Sequence, residues 1–107
     1  MEHLTAPQLA AVLADGSGPA PVLLDVREPW EYQTCRIEGS VSMPMNTVPA
    51  HLQQLDQDAH IVCICHHGAR SLRVAQFLEN NGFAQVTNLT GGVHAWAQQV
   101  DTAMPTY

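Results

Sequence analysis

A chain of 107 residues with 46% apolar and 13% charged side chains is long enough to bury one core and too apolar to stay disordered. Its net charge of −6 sets ten carboxylates against four arginines (Arg27, Arg36, Arg70 and Arg73) and no lysine, which leaves no basic stripe for nucleic acid or an anionic membrane. No apolar run nears the roughly 20 residues of a membrane span, and no basic segment precedes an apolar one at the N-terminus. A cytoplasmic protein is expected, and its odd set of three cysteines reads as reduced thiols.

Helix punctuation comes first. Thr5 and Gln8 form a capping-box pair, Leu4 and Leu9 sit at hydrophobic-staple positions, and the helix runs to about Leu13 before Asp15-Gly16-Ser17-Gly18-Pro19. Val22 to Val26 is a short apolar run suited to a strand buried on both faces of a parallel sheet. Pro29 then opens a short helix through Trp30 and Tyr32. Val41-Ser42-Met43 is a weaker strand. Thr47 to about Leu55 is predicted helical, with Val48, Leu52 and Leu55 on one face.

Ile61 to Cys65 is the strongest strand pattern. The helix after it, from about Arg70 to Asn80, buries Leu72, Val74, Ala75, Phe77 and Leu78 and stops at Asn81-Gly82. Val86 to Leu89 reads as a last strand, and Val93, Trp96, Ala97 and Val100 make a helical face. Strands alternating with helices imply an α/β fold around a mainly parallel sheet. Residues 1–100 form one domain, and 101–107 an irregular tail.

Between the strongest strand and the strongest helix lies Cys65-His66-His67-Gly68-Ala69-Arg70-Ser71. Ligands of parallel sheets bind beyond the carboxyl ends of strands. A short loop entering a helix turns backbone N–H groups inward as an anion nest, and the helix dipole adds to that field. Gly68 permits a positive φ. Arg70 brings a fixed charge and a fork of donors. Such surroundings favour a thiolate, the form that attacks sulfur or phosphorus, so Cys65 is the candidate nucleophile.

At this point the chain resembles the rhodanese family. Leu24 to Tyr32 is similar to its first signature, Ile37-Glu38-Gly39-Ser40 with Met43-Pro44 to its second, Cys65 to Ser71 to its active loop, and Leu89 to Trp96 to its C-terminal signature. The resemblance implies a three-layer rhodanese-like fold, with helices on both faces of the sheet. It also implies a sulfurtransferase, in which the loop cysteine takes sulfane sulfur from thiosulfate or a persulfide and passes it to a thiophilic acceptor. Phosphatases of related fold have five residues between cysteine and arginine; this chain has four, His66 to Ala69, a smaller ring that suits a persulfide sulfur.

On that basis Cys65 and Arg70 are the catalytic candidates, and His66, His67, Gly68, Ala69, Arg70 and Ser71 bind substrate. Arg70 either orients the donor or locks the loop by pairing with a carboxylate. No cofactor is expected. The expected partners are a small anionic sulfur donor and an acceptor, which can be cyanide, a thiol or a protein, with the chain monomeric. The alternative is a sulfur-carrier or redox-sensing module that uses the same cysteine without turnover.

Other residues carry plainer readings. Cys63 belongs to the core, because Cys63-x-Cys65-His66-His67 is not a usual zinc spacing and no metal is expected there. Cys35 stands where the family commonly has a small residue, and is either a resolving thiol or a half-buried spectator. Asp25 and Arg27 form an ion pair that pins a strand end. Trp30 and Trp96 are packing residues. His3, His51, His60 and His94 are ordinary surface or boundary residues, and Gly91-Gly92 turns into the last helix.

Overall fold

Alternation of apolar residues along the central strand divides the core into two faces, and the rest of the fold is arranged around that division. The computed structural model describes all 107 residues. Its elements are β1 (Glu2–Leu4), α1 (Ala6–Asp15), β2 (Val22–Asp25), α2 (Pro29–Thr34), β3 (Val41–Ser42), β4 (His60–Ile64), α3 (Ala69–Asn80), β5 (Gln85–Leu89) and α4 (Gly92–Gln99). The five strands pair in parallel in the order β1-β5-β4-β2-β3.

Val62 and Ile64 of β4 pack with α1 and α4 through Leu9, Val93, Trp96 and Ala97. Ile61, Cys63 and Cys65 point the other way, against Val74, Ala75 and Leu78 of α3. The result is the expected three-layer α/β fold with helices on both faces. The capping box forms as predicted: Thr5 N–H donates to Gln8 Oε1 at 2.9 Å, and Gln8 N–H donates to Thr5 Oγ1 at 3.4 Å.

Two expectations change. β1 carries too little apolar pattern to be read as a strand, yet it pairs along the edge of β5, Glu2 opposite Thr87 and Leu4 opposite Leu89. The segment predicted as a helix over 47–55 is instead two 3₁₀ turns, Met45–Thr47 and Pro49–Gln54, broken at His51 (φ −114°, ψ 16°). Pro44 and Pro49 supply no N–H, so the run closes through i→i+3 bonds such as Thr47 N–H to Pro44 O at 2.8 Å. Val48 is still buried against the core.

The carboxyl ends of the strands are tied together by charge. Arg27 follows β2 with no solvent exposure, and its Nε and Nη2 donate to the Asp25 carboxylate at 2.9 and 2.6 Å, the ion pair expected there. It also donates to the Cys35 carbonyl at 2.7 Å and to the Tyr107 hydroxyl at 2.9 Å. Glu31 of α2 accepts Arg70 Nη1 and Nη2 at 2.6 and 2.9 Å and the Tyr107 hydroxyl at 2.7 Å. Residues 101–107 contain no helix or strand, but Met104 is buried and Tyr107 joins this network.

From the opposite side α4 docks end-on to the loop after β4. The N–H groups of Val93 and His94 donate to the carbonyls of Cys65 and His66 at 2.9 and 3.1 Å. Gly92 makes that approach possible: its φ is +58°, and a Cβ there would overlap both carbonyl oxygens.

Gly92→Ala should therefore cost about 2–4 kcal/mol in chemical denaturation, whereas Gly18→Ala, which meets open space, should cost less than about 1. Equal costs would contradict the close-packing argument. Arg70, and after it Tyr107, hold the Glu31 carboxyl down to about 2. Its contribution to stability is complete above the ordinary carboxylate range and is lost as the pH falls toward 2. Wild type should exceed Glu31→Gln by about 2 kcal/mol at pH 6, allowing for solvent around Arg70, and the gap should close between pH 4.5 and 2. A gap that stays constant with pH would contradict the assignment.

Candidate active site

Because every strand is parallel, the segments after β2, β4 and β5 emerge at one edge, and the loop after β4 lies in the middle of it. Cys65 is the first residue beyond β4 and is only 1% exposed. Gly68, at φ +110°, caps α3, and its N–H donates to Cys65 Sγ at 3.0 Å. The sulfur thus sits at the N-terminus of a twelve-residue helix, where peptide dipoles favour negative charge.

Ser71 Oγ lies 3.3 Å from the sulfur and 2.5 Å from Asn88 Oδ1, while Asn88 Nδ2 donates to the Gly68 carbonyl at 3.3 Å. One amide on β5 therefore braces both the loop glycine and the hydroxyl beneath the sulfur. A Cβ on Gly68 would come 3.3 Å from the Gly91 nitrogen, so the loop and the turn into α4 are packed backbone to backbone.

The structure brings the predicted loop residues together with distinct surroundings. Both terminal nitrogens of Arg70 are committed to Glu31, so the arginine fastens α3 to α2. Ser71 is buried below the sulfur, and Ala69 and His67 are exposed. His66 is half-buried, with its ring stacked on Tyr107 at 4.1 Å and 18°. Burial, and then the neighbouring His67, lower the affinity of His66 for a proton.

All three thiols are free. Cys63 lies in the core against α3, where burial pushes its thiol up to about 12. Cys35 packs in the opposite core layer from Cys65, with its sulfur 3.8 Å from Arg27 Nη1. Gly91 and Gly92, both at positive φ, make the expected turn.

The reading of Trp30 as a packing residue is corrected. It is 60% exposed and meets Tyr107 edge-on at 5.4 Å, because α2 turns Glu31, not an apolar face, into the molecule. Trp96 is buried as expected.

Three residues of the site were not singled out. Asn88 has a faint signal, an amide next to the carboxyl end of β5, the end of a parallel strand where ligands bind. His94 has one only once α4 is known to dock on the loop. Tyr107 has none in a segment without periodicity. Its hydroxyl is pushed up to about 12, chiefly by burial, so it keeps the proton it donates to Glu31. With His66, His94 and Cys35 it walls a small cleft beside the loop.

Comparison with known proteins agrees with this fold. The family model for the rhodanese-like domain matches residues 5–99. The sulfurtransferase of Allochromatium vinosum is 34% identical over 77 residues, 72% of each chain. Thiosulfate sulfurtransferase GlpE of Tolumonas auensis is 28% identical over 78 residues, 73% of this chain and 74% of its own. A crystal structure of a rhodanese-like domain protein from Staphylococcus aureus matches with a TM-score of 0.82 at 30% identity, covering 90% of this chain and 91% of that one. Of several longer curated relatives the chain spans less than half the length. The chain belongs to the family of rhodanese-like domains.

Proposed function

We propose that the protein is a sulfurtransferase that carries sulfane sulfur on Cys65 as a persulfide. Family membership and the sulfurtransferase names of its relatives support sulfur transfer as the general chemistry. The observation that carries the assignment to Cys65 is its sulfur, held 3.0 Å from the Gly68 N–H at the start of α3.

In the first half-reaction the Cys65 thiolate attacks the outer sulfur of thiosulfate. A new S–S bond forms on the cysteine, the S–S bond of thiosulfate breaks, and sulfite leaves with the electron pair. The negative charge moves to the outer sulfur of the persulfide, where the helix field and loop N–H groups stabilise it. In the second, cyanide or a thiolate attacks that outer sulfur and Cys65 leaves as thiolate.

His66, His67, Gly68, Ala69 and Ser71 shape the cradle, and Arg70 holds it in place through Glu31. On this reading the chain works as a monomer in the cytoplasm, where free thiols stay reduced. No helix is long and apolar enough to cross a membrane.

Thiocyanate formation from thiosulfate and cyanide tests the proposal. Wild type should turn over with saturation in thiosulfate, and Cys65→Ser should fall to the uncatalysed rate. Arg70→Lys, which cannot reproduce the fork on Glu31, should lose about tenfold or more. Turnover that survives Cys65→Ser would refute the assignment. Loading without turnover would point to the carrier reading instead.

A further inference from the structure

Three imidazoles converge on the rim of the active loop: those of His66 and His67, directly after Cys65, and that of His94 on α4. A ligating nitrogen of each lies within 4.8 Å of the other two. Ring centroids are 4.0 Å apart for His66 and His67, 4.8 Å for His67 and His94, and 5.9 Å for His66 and His94.

The fold imposes this convergence. The His94 N–H donates to the His66 carbonyl at 3.1 Å, which fixes the spacing of two of the three, and Tyr107 backs the His66 ring. His51 and His60 engage ring nitrogens with Thr47 O and Thr87 Oγ1; none of the three rim imidazoles has such a partner within the chain.

We propose that His66, His67 and His94 form a binding site for a divalent transition-metal cation of the zinc type, with its fourth position open to solvent. Three imidazoles select zinc, copper or nickel over magnesium or calcium. Zn–N bonds of about 2.0–2.1 Å in a tetrahedral arrangement place the nitrogens roughly 3.4 Å apart. Rotamer adjustments of the exposed His67 and the half-buried His94 close the remaining distances, the widest of which separates the His66 and His94 rings. Occupancy ties the two residues after Cys65 to α4, so the cation and the sulfur share one loop while using different ligands. The site does not depend on Cys65 carrying sulfur.

Calorimetric titration of the tag-free full chain with zinc chloride tests this, with His67→Ala, His94→Ala, Cys65→Ser and His51→Ala in parallel. One zinc ion per chain should bind wild type and be removed by EDTA. Losing a direct ligand should weaken binding at least as much as losing a residue that only orients one, so His67→Ala and His94→Ala should lose about tenfold or more. Cys65→Ser and His51→Ala should bind as wild type does. Metal-free melting curves establish which variants are folded, and His67→Ala, on an exposed loop residue, carries the test if His94→Ala is destabilised. Absence of saturable binding to wild type, undiminished affinity in His67→Ala, or loss of binding in Cys65→Ser would overturn the proposal.

Discussion

A guanidinium with no solvent exposure organises the carboxyl edge of this sheet. Burying such a charge costs several kcal/mol unless it is paired and every donor is satisfied. The five donors of Arg27 are accounted for by the Asp25 carboxylate, the carbonyls of Glu31 and Cys35 and the hydroxyl of Tyr107. Satisfying this one group therefore fixes the end of β2, the C-terminal end of α2 and residue 107 relative to one another. The same helix presents Glu31 to Arg70, which extends the constraint to α3.

The loop that follows β4 is gripped from several directions. Glu31 and Arg70 hold it in front, the N–H groups at the start of α4 hold the carbonyls of Cys65 and His66 behind, and Asn88 braces Gly68 and Ser71 from β5. Donors fixed before the reaction need not reorganise as charge develops, which is the main way a protein site stabilises an anionic intermediate. The fold thus supplies a small rigid ring around a sulfur at a helix N-terminus. This preorganisation is what the sulfurtransferase reading asks of it.

Much of this was legible because it is written locally. The Thr5–Gln8 capping box, the apolar run of β4 and the glycine and arginine that follow Cys65 each depend on neighbours within a few residues. The features that escaped depend on distant partners. β1 is a strand only because β5 offers an edge, and Trp30 is exposed because α2 spends its inward position on Glu31. Tyr107 meets Arg27 from 80 residues away, and His66 as well, with no periodicity to announce either contact. The 3₁₀ turns show the reverse case: Val48, Leu52 and Leu55 fit a helical face, but the backbone chemistry of two prolines overrode it.

We propose that Cys65, and neither of the other thiols, receives the sulfur. Intact-protein mass after incubation with thiosulfate tests it most directly, comparing wild type with Cys65→Ser and Cys35→Ser. Wild type and Cys35→Ser should each gain one sulfur atom, reversed by cyanide, and Cys65→Ser should gain none. A sulfur gained by Cys65→Ser, or lost with Cys35, would contradict it.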